Sequence, residues 1–179
     1  ECGKQVILVE KNPSIGGRVS QLYKYFPKLC HPKCGLEVNL RRIKANRNLR
    51  VMAMTEVASI EGDAGNYSVT LKTSPRYVNE NCTSCGECGK AVEAEFDDDY
   101  NYGLGKRKGA YLPFNQAYPE RYVLDPAIIG TDDADKAKAA CKYDAIDLDM
   151  TDSESTITVG AIIWATGWKP YDAGKIQPY

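Results

Sequence analysis

Three cysteines within seven residues, Cys82, Cys85 and Cys88 in the run CTSCGEC, constrain this chain more than anything else in it. C-x2-C-x2-C is the spacing with which one tight loop wraps three irons of a 4Fe-4S cube. Its small residues leave backbone N–H groups free to point at the sulfurs. A full bacterial motif continues with x3-C-P, but here Gly89-Lys90-Ala91-Val92-Glu93 follows, so the fourth cysteine and its proline are both absent. In two-cluster ferredoxins that fourth cysteine binds the other motif's cluster, so Val92 stands where a ligand of a second cluster belongs.

The other cysteines are Cys2, Cys30, Cys34 and Cys141. An odd, unevenly clustered set suits a metal or redox site better than a disulfide framework. The 179 residues carry 23 Lys+Arg against 24 Asp+Glu, and a net charge of −1 gives no general attraction for nucleic acid or anionic lipid. No apolar run approaches the roughly 20 residues of a membrane helix; the longest, Ala161 to Ala165, has five. Leu, Ile, Val and Phe make up about a fifth of the chain, which predicts a thin core in one domain or two small ones. Glu1 begins the sequence with no basic segment and apolar core after it, so no signal peptide and a reducing, cytoplasmic setting are expected.

Lys4 to Glu10 (KQVILVE) is a short β-branched run that ends in an acid and a Lys-Asn-Pro turn, the pattern of a buried parallel strand. In a dinucleotide-binding unit, Glu10 at the strand end would accept hydrogen bonds from ribose hydroxyls, with Lys11 beside it. It would lie about 20 residues beyond a glycine-rich phosphate loop. Those glycines would precede Glu1, so an internal piece of a longer flavoprotein is expected. Gly16-Gly17-Arg18 follows, where paired glycines admit a bulky anion and an arginine can pair with a pyrophosphate; alone, Gly-Gly is a turn. Ile157 to Gly167 (ITVGAIIWATG) reads as another apolar strand, running into Ala165-Thr166-Gly167 against a flat ligand.

Between these motifs, Glu37 to Asn46 is expected to be helical. Leu36, Leu40 and Ile43 lie on one face, and a solvated basic face carries Arg41, Arg42 and Lys44. Leu49–Met54, Glu56–Ile60 and Tyr67–Lys72 read as strands, the last two joined through the glycine-containing loop Gly62 to Asn66. Asp97-Asp98-Asp99, Lys106-Arg107-Lys108 and Asp132-Asp133-Asp135 read as solvated loops. The stretch Tyr100 to Tyr122 lacks period and is expected to pack against the insert or a partner subunit. Cys30-His31-Pro32-Lys33-Cys34 holds the only histidine, and its two cysteines are either a redox pair or buried structural residues.

With Glu10, Gly16-Gly17-Arg18 and Ala165-Thr166-Gly167 in order, the chain resembles the two-dinucleotide-binding flavoproteins. The runs VEKNPSIGGRVSQL, YFPKLCHPKCGLEVNLRR, PRYVNENCTSCGECG, YDAIDLDM and WATGWKPYDA narrow the resemblance. They are similar to the flavoprotein A subunit of quinone-interacting membrane-bound oxidoreductases, a relative of the A subunit of heterodisulfide reductase. The similarity spans nearly the whole chain. It implies an α/β fold: a partial FAD-binding Rossmann-type domain over residues 1–78 and 151–179, interrupted by a ferredoxin-like α+β insert over residues 79–150. It also implies FAD at Glu10, Lys11, Gly16, Gly17, Arg18, Ala165, Thr166 and Gly167, and an electron-transfer subunit of a membrane-associated redox complex serving sulfate respiration or heterodisulfide reduction. Its membrane contact would come from partner subunits at the inner face. A cysteine-bearing segment near the flavin in such proteins makes Cys30 and Cys34 candidates for a thiol–flavin contact.

The family-like register C-x4-C-x2-C-x3-C, ending at Cys141, puts the other ligands of a second motif at Ile129, Ala134 and Ala137, none of which binds iron. By the crossover rule Cys141 belongs to the first cluster, so Cys82, Cys85, Cys88 and Cys141 form one complete set while the other set is wholly gone. Random loss of four cysteines from eight leaves a whole set in only about one case in 35 under that rule. One 4Fe-4S cluster is expected. Four thiolates also make a structural zinc set, and Lys142 in place of proline allows an empty relic. Two rival functions follow: a non-catalytic metal-stapled scaffold, and a pyridine-nucleotide disulfide oxidoreductase using Cys30 and Cys34. No residue reads as an acid–base catalyst.

Overall fold

The β-branched run after Lys4 forms β1 (Val6–Glu10), paired in parallel with β2 (Leu49–Ala53) from Val6 opposite Leu49 to Glu10 opposite Ala53. The structure is a computed structural model describing residues 3–176; Cys2 lies outside them. Parallel neighbours need a crossover, here carrying α1 (Gly17–Gln21) and α2 (Lys33–Ala45). Helix α2 starts four residues before the expected 37, because buried Pro32 at its N-cap already has the helical φ of −59°. Leu36, Leu40 and Ile43 are its half-buried face, and Arg41, Arg42 and Lys44 are exposed, as the pattern requires. Strand β1 is less buried than expected: Val6 is 47% exposed, since β2 is its sole strand neighbour among the described residues.

β3 (Thr55–Asp63) and β4 (Asn66–Thr73) form the expected hairpin, but the strands run further in, leaving Ala64-Gly65 as the turn. Gly62 is required there: its φ is +89°, and an added Cβ would sit 2.5 Å from the Asn66 carbonyl oxygen. β9 (Ser153–Val159) adds antiparallel to β4, completing a three-stranded sheet around buried Val69 and Leu71. This corrects the strand expected over 157–167. The strand lies earlier and ends before Gly160, and residues 161–172 have no regular structure. Ile163 and Trp164 are 89% and 66% exposed, so nothing described here covers the apolar run that would have made it a core strand.

Between β4 and β9 the chain makes a separate, loop-rich unit. It contains α3 (Glu87–Ala91), the hairpin β5 (Glu95–Asp97) with β6 (Lys106–Lys108), the pair β7 (Ala110–Tyr111) with β8 (Val123–Leu124), and α4 (Asp132–Ala140). Val78 opposite Ile146, with Asn79 N–H donating to the Ala145 carbonyl at 2.8 Å and Asp147 N–H to that of Tyr77 at 3.1 Å, ties its two ends together. Val78, Val92, Leu124, Ile128, Ala137 and Ile146 belong to its core.

The charged runs are not plain solvated loops. Lys106-Arg107-Lys108 is strand β6, and the Arg107 side chain is 14% exposed, paired with Asp125 at 2.8 Å. Asp133 in the first turn of α4 accepts from Glu93 and Ala94 N–H. The Tyr100–Tyr122 stretch packs back on the first segment of the chain. The Tyr100 hydroxyl donates to the Ser20 carbonyl at 2.6 Å, Gln21 Nε2 to the Tyr100 carbonyl at 2.9 Å and Ile15 N–H to that of Tyr118 at 2.9 Å. Among the described residues no helix is long and apolar enough to cross a membrane. The chain is thus mixed α/β, on small separate sheets. Leu124→Ala, emptying a fully buried place in the core behind the cysteine loop, is expected to cost about 2–5 kcal/mol, read as a lower midpoint of urea unfolding.

Candidate functional site

The pairing of Tyr77–Asn79 with Ala145–Asp147 sets the site, because it lays the segment entering the cysteine loop beside the one leaving Cys141. Asn79 reinforces the join: its Nδ2 donates to the Asp144 carbonyl at 3.0 Å, while its Oδ1 accepts from Asn81 N–H at 2.9 Å. The loop then turns through Ser84 and Gly86, both with positive φ (55° and 84°), and places Cys88 in α3. Cys141 caps the C-terminus of α4, which packs on α3.

Cys82, Cys85, Cys88 and Cys141 all line one small cavity walled also by Val78, Tyr122 and Ile146. They are free, and Cys88 is buried. Burial above all, then the neighbouring thiols of Cys82, Cys141 and Cys85, pushes the Cys88 thiol up to about 11. Four thiolates there therefore need positive charge between them. The Ala145 N–H donates to Cys141 Sγ at 3.4 Å, an amide–sulfur bond of the kind that tunes iron–sulfur centres. Among the described residues no three His, Cys, Asp or Glu side chains converge closely enough to chelate a single metal ion.

Tyr122 and Gly89 were not singled out from the sequence. Gly89 is needed because an added Cβ would lie 3.0 Å from the Ala110 carbonyl oxygen and 3.1 Å from the Tyr122 ring. Nothing in a lone tyrosine of a tyrosine-rich stretch signals that its ring walls this cavity. The positions of the second ligand set are filled with hydrocarbon. Val92, Ala134 and Ala137 are 1%, 1% and 0% exposed, and Ile129 packs on the same core.

The flavin motifs lie on separate segments. The Glu10 carboxylate, at the exit of β1, accepts from Asn12 N–H and Nδ2, both at 2.9 Å; Lys11 is exposed beside it. Gly16 and Gly17 open α1 with φ of +126° and +50°, and Arg18 follows, half-buried. Ala165, Thr166 and Gly167 are exposed, and no backbone hydrogen bond among the described residues joins them to the other two motifs. Cys30 and Cys34 are both exposed, which overturns their reading as buried structural cysteines. His31 Nδ1 accepts from Lys33 N–H at 3.2 Å.

No family model matches the chain. It is 38% identical over 181 residues to the iron-sulfur A subunit of the CoB–CoM heterodisulfide reductase of Methanocaldococcus jannaschii, an alignment covering 99% of this chain and 27% of that protein. Identity is 36% over 178 residues to the first of two such iron-sulfur A subunits of Methanopyrus kandleri, with the same coverage. It is 33% over 184 residues to the A subunit of the ferredoxin:CoB-CoM heterodisulfide reductase of Methanosarcina acetivorans, covering 99% of this chain and 23% of that protein. The chain thus spans about a quarter of the length of these curated relatives, and essentially all of it takes part in the match. By that likeness the chain belongs to the family of heterodisulfide reductase A subunits.

Proposed function

We propose that the chain is part of an electron-transfer subunit that holds one 4Fe-4S cluster on Cys82, Cys85, Cys88 and Cys141 and FAD on the Glu10, Lys11, Gly16-Gly17-Arg18 and Ala165-Thr166-Gly167 segments. The observation that carries this reading is the shared cavity of the four thiols, set against a second ligand set replaced by packed Val92, Ala134 and Ala137. A single zinc draws its thiolates to within about 2.3 Å of one point. A cubane takes them at separate corners. Three relatives carry iron–sulfur in their names, which supports the same reading.

With both cofactors bound, the flavin would take or give two electrons and the cluster would pass them singly. The chain's own part is to exclude water with Val78, Tyr122 and Ile146 and to direct the Ala145 N–H at sulfur. In this reading residues 79–150 form a ferredoxin-like insert between two parts of a flavin domain, residues 1–78 and 151–179. The protein works inside a larger redox complex, as heterodisulfide reductase does, or at the quinone-linked branch serving sulfate respiration, with peripheral membrane contact through partners. Exposed Cys30 and Cys34 remain candidates for a thiol–flavin contact.

Anaerobically purified protein is expected to contain about four irons per chain, with broad visible absorbance that bleaches on adding dithionite. Cys141→Ala is expected to abolish iron as fully as Cys85→Ala; iron unchanged in the Cys141 variant, or a colourless zinc protein, overturns the reading. For the flavin, Glu10→Ala is expected to weaken FAD binding roughly tenfold in a fluorescence titration, the scale of one lost charge-assisted hydrogen bond. Unchanged affinity removes Glu10 from that site.

A further inference from the structure

Arg76 is 8% exposed, and it was not among the residues read from the sequence. Among the described residues all of its hydrogen bonds go to backbone carbonyls. Nη1 and Nη2 donate to Pro13 at 2.9 and 2.7 Å, Nε to Tyr122 at 3.0 Å and Nη2 also to Arg121 at 3.2 Å. The other well-covered guanidinium, that of Arg107, has a carboxylate at 2.8 Å. A buried cation held only by neutral acceptors is costly unless something else supplies negative charge. Of these partners, Pro13 immediately precedes the Ser14–Arg18 turn and Tyr122 lines the cysteine cavity, as does Val78, two residues after Arg76.

We propose that Arg76 is a positioning residue between the two redox segments: it ties the Pro13 carbonyl to the Tyr122 backbone, and its fixed positive charge raises the reduction potential of the cluster held by the neighbouring thiols. Reduction adds one electron to the cluster, from dithionite in the test, and makes its net charge one unit more negative with no bond or proton transferred. A nearby cation stabilises that form. The electrostatics of Arg76 agree: burial first and then Arg121 lower its pKa to about 10, while Tyr111 and the Cys82 thiol act in the opposite direction.

This inference rests on the cluster reading above, and the wild-type iron content separates the two. Absence of iron sinks both, whereas iron with an unmoved potential in the variants sinks this one alone. The test is a dithionite titration with redox mediators, followed by electron paramagnetic resonance, on anaerobically purified wild type, Arg76→Met and Arg76→Lys. Arg76→Met is expected to shift the cluster to a more negative midpoint potential, and Arg76→Lys, which keeps the charge but loses the fork, to return most of the shift. A merely structural role would lower thermal stability in both variants and leave the potential alone. An unmoved potential in Arg76→Met with full iron, or an equal shift in both variants, overturns the proposal. Where Arg76→Met does not accumulate, Arg76→Gln, which keeps an amide donor for the Pro13 carbonyl, is read in its place with the same expected sign. Loss of iron in all three variants also counts against it, because a charged lysine should suffice.

Discussion

The pairing of Tyr77–Asn79 with Ala145–Asp147 is the constraint on which the rest of this structure depends. Without it Cys141 is a lone thiol far along the chain from the cysteine loop; with it, four cysteines line one cavity. The contact is small, a bridge and a few backbone hydrogen bonds, but it is backed by Val78 and Ile146, 2% and 4% exposed, in the same core as Leu124 and Ile128. Burial of those side chains, each worth about 1.5–3 kcal/mol, holds the ends together. The thiols then come to the cavity at little further conformational cost.

The same core accounts for the asymmetry between the two ligand sets. Where a two-cluster ferredoxin would place cysteines, Val92, Ala134 and Ala137 fill the space with hydrocarbon, and an added Cβ on Gly109 would lie 2.7 Å from Ile128 and 3.2 Å from Val92. In the proposed reading the places of the second ligand set are packing that supports the first, so stability and cofactor binding would use the same residues.

Legibility from sequence followed how local each signal is. The C-x2-C-x2-C loop, helix α2 and the β3–β4 hairpin are written in consecutive residues, and each formed, α2 with a start four residues earlier than expected and the hairpin with a shorter turn. That Cys141 lines the same cavity as the loop was within reach, because the crossover rule links the two across a long gap without needing the fold. What failed depended on covering partners: the apolar run at 161–165 is a strand only if something lies over Ile163 and Trp164, and neither side chain is covered here. Arg76 and Tyr122 were invisible for the opposite reason. Their environments come from Pro13, far back in the chain, and from the thiols, and no short pattern around PRYV or ERYV announces either.

Mössbauer spectroscopy on anaerobically purified, iron-57-labelled protein tests the central claim most directly, since it counts irons and clusters together. One cubane of about four irons per chain is the result this account predicts. Signal for two clusters, or iron held at a single mononuclear site, would contradict it.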